Sequence, residues 1–157
     1  MTFSRTAGLN WKGFDFSVLL QGATRSSIYL QGDIAWDNSW GNYFEEHIGR
    51  WTPETAATAT YPRFTKAATA THPNYYKSDY WLKDSKYLRL KNIQLGYTIP
   101  RKLLKKFGIR SLRVYTNAYN LLTWDNVKKV DPESPNNSNG QFYPQQKVIN
   151  FGINLNF

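Results

Sequence analysis

Apolar and polar residues alternate along short stretches of this chain, and that period of two predicts strands rather than helices. Ala7, Leu9 and Trp11 alternate with Gly8 and Asn10; beyond Lys12-Gly13, Phe14, Phe16, Val18 and Leu20 alternate with Asp15, Ser17 and Gln21. Two strands over residues 2–11 and 14–24 follow, joined as a hairpin in which Gly13 can take the positive φ that tight turns need. A third strand covers 85–99. Its apolar parity changes from Leu88 and Leu90 to Ile93, Leu95, Tyr97 and Ile99, so one extra residue near Lys91-Asn92, a β-bulge, restores a continuous apolar face. The fourth, 111–123, sets Leu112, Val114 and Ala118 against Arg113, Tyr115, Asn117 and Tyr119. In the fifth, 146–157, Ile149, Phe151, Ile153, Leu155 and Phe157 face one way, and Val148, Asn150, Gly152, Asn154 and Asn156 the other.

The connections alternate in length. A two-residue turn is followed by a long segment, 25–84, then by a compact one, then by a Pro/Asn/Ser-rich loop, 124–145. The compact connection reads as a short helix over 101–107, with Leu103, Leu104 and Phe107 on one side, Pro100 in its first turn and Gly108 at its C-terminal cap. Short turns at one end and long loops at the other are the habit of membrane β-barrels, whose strands need only about 10 residues to cross. The expectation is an all-β chain: antiparallel strands forming the C-terminal portion of a transmembrane β-barrel, with long outer loops and one short periplasmic helical turn. The apolar face then meets lipid and the Asn- and Gly-rich face lines the lumen. The same alternation also fits a soluble β-sandwich whose apolar face points to a core. In that rival reading the Trp/Tyr-rich loop of a carbohydrate-binding module is the binding face. A strand that ends on an aromatic residue, Phe157, favours the barrel, because a free apolar edge invites aggregation in water.

Composition changes this picture little. Mean hydropathy is −0.60, which suits no membrane helix but leaves membrane strands possible. The 20 Lys and Arg against 11 Asp and Glu give a net charge of +9, which raises nucleic acid or an anionic surface as a partner. The chain has no cysteine, so thiolate chemistry, thiolate zinc sites and disulfides are excluded. Residues 1–5 lack a basic stretch leading into an apolar core, so no signal peptide is expected and the chain reads as a mature piece or a fragment.

Several stretches carry a family resemblance. Ser78-Asp79-Tyr80-Trp81-Leu82-Lys83-Asp84-Ser85-Lys86-Tyr87-Leu88-Arg89-Leu90-Lys91-Asn92-Ile93-Gln94-Leu95-Gly96-Tyr97-Thr98-Ile99-Pro100 resembles the signature near the C-terminus of SusC/RagA proteins. So do Ser111-Leu112-Arg113-Val114-Tyr115, Asn120-Leu121-Leu122-Thr123, Asp131-Pro132-Glu133 and Tyr143-Pro144-Gln145-Gln146-Lys147, with Arg50-Trp51-Thr52-Pro53 and Tyr61-Pro62-Arg63 matching the preceding outer loop. The resemblance implies a TonB-dependent transporter of the outer membrane in Bacteroidota that imports glycan or peptide oligomers under a SusD-like lipoprotein lid. It implies energy supplied through TonB, and a last strand (Ile149, Phe151, Ile153, Leu155, Phe157) read by the barrel-assembly machinery. Residues 1–157 would then be the C-terminal barrel segment of such a receptor, without its plug domain. Five strands do not close a barrel, so this piece alone is not expected to transport.

The candidate chemistry is sparse. Trp36, Trp40, Trp51, Tyr75, Tyr76, Tyr80 and Trp81 could stack on a substrate or grip a lid protein, and equally could pack within the loop. Arg101, Lys102, Lys105, Lys106 and Arg110 form the densest basic cluster; with no stacking aromatics around it, it reads as a solvated turn rather than a nucleic-acid or lipid contact. Asp33, Asp37, Glu45 and Glu46 have no spacing that fixes a carboxylate pair or calcium site, and His47 and His72 lack metal-ligand spacing. Asn117, Tyr119, Asn150, Asn154 and Asn156 are expected in the lumen, as polar lining or against a plug. Neither a nucleophile elbow nor a phosphate loop nor a dinucleotide fingerprint occurs, and the chain reads as a non-enzyme without cofactor, metal or nucleic-acid partner.

Overall fold

A computed structural model describes residues 1–37, 43–65, 72–127, 129–134 and 142–157. The chain divides into two compact units: residues 1–26, 85–126 and 144–157 form one, and 27–84 with 127–143 the other.

The first unit is an antiparallel five-stranded sheet. Its strands are β1 (Thr2–Trp11) and β2 (Phe14–Ala23), then β5 (Tyr87–Thr98), β6 (Ser111–Asp125) and β7 (Val148–Asn156), with β3 (Ser27–Tyr29) and β4 (Leu82–Asp84) intervening in sequence but not in this sheet. The spatial order β1-β2-β5-β6-β7 is a meander, so each strand lies beside its predecessor in the unit. Lys12 and Gly13 both take positive φ, 46° and 90°, as the tight turns that match strand twist require. A Cβ on Gly13 would stand 2.8 Å from the Thr98 carbonyl oxygen, so glycine is needed there twice over.

The strands stand close to their expected places, with instructive differences. Against β2, the register of β5 skips Lys91, the extra residue that the parity change predicts. A second irregularity lies between β5 and β6: Leu90 pairs with Leu122 and Asn92 with Tyr119. The additional residue is on β6, where Asn120 has φ 51°, a conformation Asn tolerates better than most residues. Its side-chain amide donates to Gln145 Oε1 at 3.2 Å and to the Gln146 carbonyl at 3.0 Å. Beyond this bulge β6 continues to Asp125, past the expected end at 123, because Trp124 and Asp125 still pair with Leu88 and Tyr87.

Between β5 and β6, α1 (Arg101–Leu104) runs into a 3-10 turn at Lys105–Phe107 that Gly108 closes at φ 68°. Pro100 is the N-cap rather than part of the first turn. The expected shared side of Leu103, Leu104 and Phe107 is not formed. Leu104 is buried, whereas Leu103 is 65% and Phe107 74% exposed. So short a helix offers one position to the sheet, and Leu104 occupies it.

The second unit corrects the expectation of a long loop over 25–84. β3 pairs with β4, and Ile28, Leu30, Ala35, Tyr61, Trp81 and Val127 form a core of their own. The Tyr61 hydroxyl donates to the Ala35 carbonyl at 2.7 Å, and the Trp81 carbonyl accepts from Leu30 N at 2.9 Å. Short 3-10 turns and large rings fill this core, which leaves no period of two or 3.6 for a sequence pattern to reveal.

Candidate functional site

The two faces of the five-stranded sheet differ completely. Pairing places Trp11, Phe14, Tyr97, Val114 and Ile153 in one row across all five strands, and Leu9, Phe16, Leu95, Thr116 and Phe151 in the next. Ala7, Val18, Ile93, Ala118 and Ile149 make a third. Thr116 is the polar member of these rows, and its hydroxyl is turned back onto the Asn150 carbonyl at 3.0 Å. The following row brings the one charge, Arg5, beside Leu20, Leu90 and Leu122. This face is not a core. Phe151 is 84% and Ile153 67% exposed, with Leu9, Trp11, Phe14 and Leu95 also open. A soluble sandwich needs a second sheet over such a surface, and among the described residues the other sheet is the two-stranded pair β3-β4. The described residues therefore do not form the sandwich that the same alternation allowed.

The opposite face is polar and tied together. Arg113 on β6 donates from Nε to Asp15 Oδ1 at 2.9 Å and from its terminal nitrogen to Oδ2 at 2.5 Å, a two-point ion pair reaching from β6 to β2 across β5. Gly96 is the residue of β5 beneath it, and a Cβ there would lie 2.5 Å from both the guanidinium and the carboxylate. The same guanidinium sits 4.8 Å from the Tyr115 ring, which in turn covers Gly152 of β7. Asn150 donates to Asn117 at 3.0 Å, and Asn156 to Ser111 Oγ at 3.0 Å. Arg89, almost fully buried, donates to Thr123 Oγ1 at 3.0 Å. Sequence reasoning missed Asp15, Arg113 and Arg89. The signal was available in part: Asp15 opposite Gly96 and diagonal to Arg113 follows once the register is known.

In the second unit the candidate contact residues separate. Trp81 is 4% exposed and donates from Nε1 to the Asn74 carbonyl at 2.8 Å. Tyr75 is buried, its hydroxyl 3.2 Å from the Asp37 carbonyl, and its ring packs 4.8 Å from that of half-buried Trp36. These three serve the interior. Trp51, Tyr76 and Tyr80 are exposed, with the Tyr80 hydroxyl on the Thr60 carbonyl at 2.8 Å. Burial pushes the Tyr80, Tyr75 and Tyr61 hydroxyls up, Asp37 adding to the rise for the last two. Trp40 lies outside the described residues.

The acids are not gathered. Asp37 is buried and accepts from Thr65 N at 2.9 Å, while Glu46 pairs with Lys129. Burial lowers the Lys129 ammonium to about 8. His47 is 3% exposed and boxed by Tyr43, Phe44, Tyr61 and Phe64, with centroids 4.6 to 5.9 Å away. Its Nδ1 accepts from Phe44 N at 3.1 Å. Burial holds its pKa below the usual imidazole value, with the Asp37 charge acting the other way. Among the described residues no three acids, histidines or cysteines come together as metal ligands.

No family model matches the chain. Three curated proteins are similar over nearly all of it. TonB-dependent receptor P26 of Formosa agariphila is 30% identical over 95% of the chain, and TonB-dependent receptor P3 of the same organism 27% over 95%. TonB-dependent receptor SusC of Bacteroides thetaiotaomicron is 24% identical over 97%. The chain spans only 14–16% of these relatives' own length. Among solved structures, the RagAB peptide importer in its open-open state superposes with a TM-score of 0.73 over 99% of this chain and 17% of that one, at 24% identity. A further structure of the RagAB peptide transporter gives 0.74 over 96% and 16%. At that identity the likeness establishes the fold.

Proposed function

We propose that this chain, a homologue of the TonB-dependent receptors of the outer membrane, is the C-terminal barrel segment of a nutrient transporter. The observation that carries the reading is the pair of unlike sheet faces: three all-strand rows that are apolar but for Thr116 and largely open, backed by a polar face held by Asp15 and Arg113. A wall with lipid on one side and a wet, functional interior on the other is built this way. Residues 1–157 supply five strands of the wall and, through the second unit, part of the outer surface. The plug and the TonB-contacting segment belong to the rest of the receptor, and the short connections face the periplasm. The cargo is a glycan or peptide oligomer. A SusD-like lipoprotein covers the outer mouth, and Trp51, Tyr76 and Tyr80 are the ring-bearing residues placed to touch cargo or lid. TonB powers the import, and the barrel-assembly machinery reads Ile149, Phe151, Ile153, Leu155 and Phe157.

The test uses the complete receptor in cells with and without TonB, and follows uptake of fluorescent oligopeptides and oligosaccharides. TonB-dependent uptake of one cargo class, reduced about tenfold or less by triple alanine substitution at Trp51, Tyr76 and Tyr80, is the expected result. Uptake indifferent to TonB would overturn the proposal.

A further inference from the structure

The short-turn end of the sheet carries a charged and apolar mixture that the sequence pattern treats as a solvated turn. Hydrogen bonds stitch this end into one edge. Thr98 N donates to the Gly13 carbonyl at 2.7 Å, Ile99 N to Leu112 at 2.9 Å, and Arg110 N to Asn156 at 2.8 Å. Along it stand Lys12, Arg101, Lys102, Lys105, Lys106 and Arg110, all exposed, and residues 99–110 contain no acid. Between these cations Leu103 and Phe107 project outward, 65% and 74% exposed, although Leu104 beside them is buried. Next to this edge lies the row of Trp11, Phe14 and Tyr97, with the Lys12 ammonium 5.0 Å above the Trp11 ring and the Phe14 ring tilted against that of Tyr97, centroids 4.5 Å apart. Aromatic rings flanking an apolar band mark the depth at which a barrel meets headgroups.

Exposed Leu and Phe are unexpected on a turn that only meets water. Beside five cations and at the rim of a lipid-facing wall, they make a small amphipathic surface: apolar groups for the acyl boundary, ammonium and guanidinium groups for phosphate. Nucleic acid fits less well, because the aromatics nearby belong to the apolar face and do not form a stacking platform along a groove. We infer that residues 100–110 are an interfacial anchor, with Leu103 and Phe107 dipping into the membrane and Arg101, Lys102, Lys105, Lys106 and Arg110 holding the phosphates of anionic glycerophospholipid. This rests on the barrel reading above. Its consequence is that the connection fixes the height of β5 and β6 in the bilayer and selects anionic lipid around that rim.

These 157 residues contain no cysteine, and any cysteine elsewhere in the complete receptor is first replaced by serine. Single nitroxide labels are placed in the complete receptor at Phe107→Cys and, as a control on the lipid wall, at Phe151→Cys. The receptor is reconstituted in vesicles of phosphatidylcholine alone or of phosphatidylcholine and phosphatidylglycerol in equal parts. Collision with oxygen and with a water-soluble nickel complex reports each label's surroundings. At position 107 the oxygen-to-nickel ratio is expected to rise at least about fivefold on adding phosphatidylglycerol. The rise should vanish when Arg101, Lys102, Lys105 and Lys106 are changed to Gln. A label at 107 equally wet in both vesicles, or equally immersed in both, overturns the anchor. Displacement of the anchored state by single-stranded RNA at constant salt overturns it in favour of a general polyanion site. If the label at 151 is itself in water, the barrel reading has failed; if 151 is in lipid and 107 is not, only the anchor has.

Discussion

Single residues on the polar face show how closely this sheet is fitted. Gly96 and Gly152 lie beneath the Asp15–Arg113 pair and the Tyr115 ring respectively, with no room for a methyl group under either. Gly152→Val is expected to destabilise the folded barrel by about 1–3 kcal/mol, the ordinary cost of overpacking, read as a lower urea midpoint for loss of heat-modifiable gel mobility. The Asp15–Arg113 pair is only partly covered, its side chains 29% and 23% exposed, so a double-mutant cycle with Asp15→Asn and Arg113→Gln should give a coupling of about 1 kcal/mol. His47 makes a different statement. Its pKa is held low in the folded unit, so it stays neutral there while the unfolded chain takes up a proton near pH 6.5. Its contribution to stability is therefore complete above about 6.5 and is lost as pH falls from there toward the lowered folded value. The protection factors of the Tyr61 and Trp81 amides, exchange rates corrected for their intrinsic pH dependence, should fall between about pH 7 and pH 5.5, and His47→Leu should flatten that response. An unchanged slope in the variant would assign the acid sensitivity to other groups.

Elements were legible to the extent that their signal was local and periodic. β1, β2 and β7 keep one parity of alternation along most of their length, Arg5 and Leu19 apart, and the β1–β2 and β6–β7 pairings run without a register shift. The Lys91 bulge was legible because Leu90 and Ile93 cannot share a face without it. The Asn120 bulge was not, because Tyr119, Asn120 and Leu121 have no strict alternation to break, and only the partner register exposes the extra residue. The two faces give a paired test on one strand. Leu95→Arg places a cation in the middle of the apolar rows and should cost about 2–4 kcal/mol, whereas Asn92→Arg on the polar face should cost less than about 1 kcal/mol. Comparable costs at the two positions would mean that the faces are not differently solvated. At the far edge, β7 presents Ile149, Phe151, Ile153 and Leu155 together. If this strand and Phe157 are what the assembly machinery reads, Phe157→Ala should lower the yield of folded receptor in the outer membrane without changing the urea midpoint of what does fold.

At the scale of the whole chain, sequence pattern reached the class of fold but not the organisation of half the residues. Trp81, Tyr61 and Val127 come from distant parts of the chain and form one core, and nothing in their spacing announces that. The same blindness lumped Trp81 and Tyr75 with Trp51, Tyr76 and Tyr80 as contact residues, because exposure is a property of the packed unit and not of the residue type. The sheet's two-faced character was the part written most plainly in the sequence, and the proposed function rests on it. The most direct measurement is a nitroxide scan along β5, one cysteine at a time from Leu88 to Thr98 in the complete receptor in vesicles, reading oxygen against nickel collision. The expected profile has period two, with lipid contact at Leu88 and Leu90, a change of phase at Lys91, and lipid contact again at Ile93, Leu95 and Tyr97. Water contact at both parities, or alternation that runs through Lys91 without a change of phase, would contradict a membrane wall built in this register.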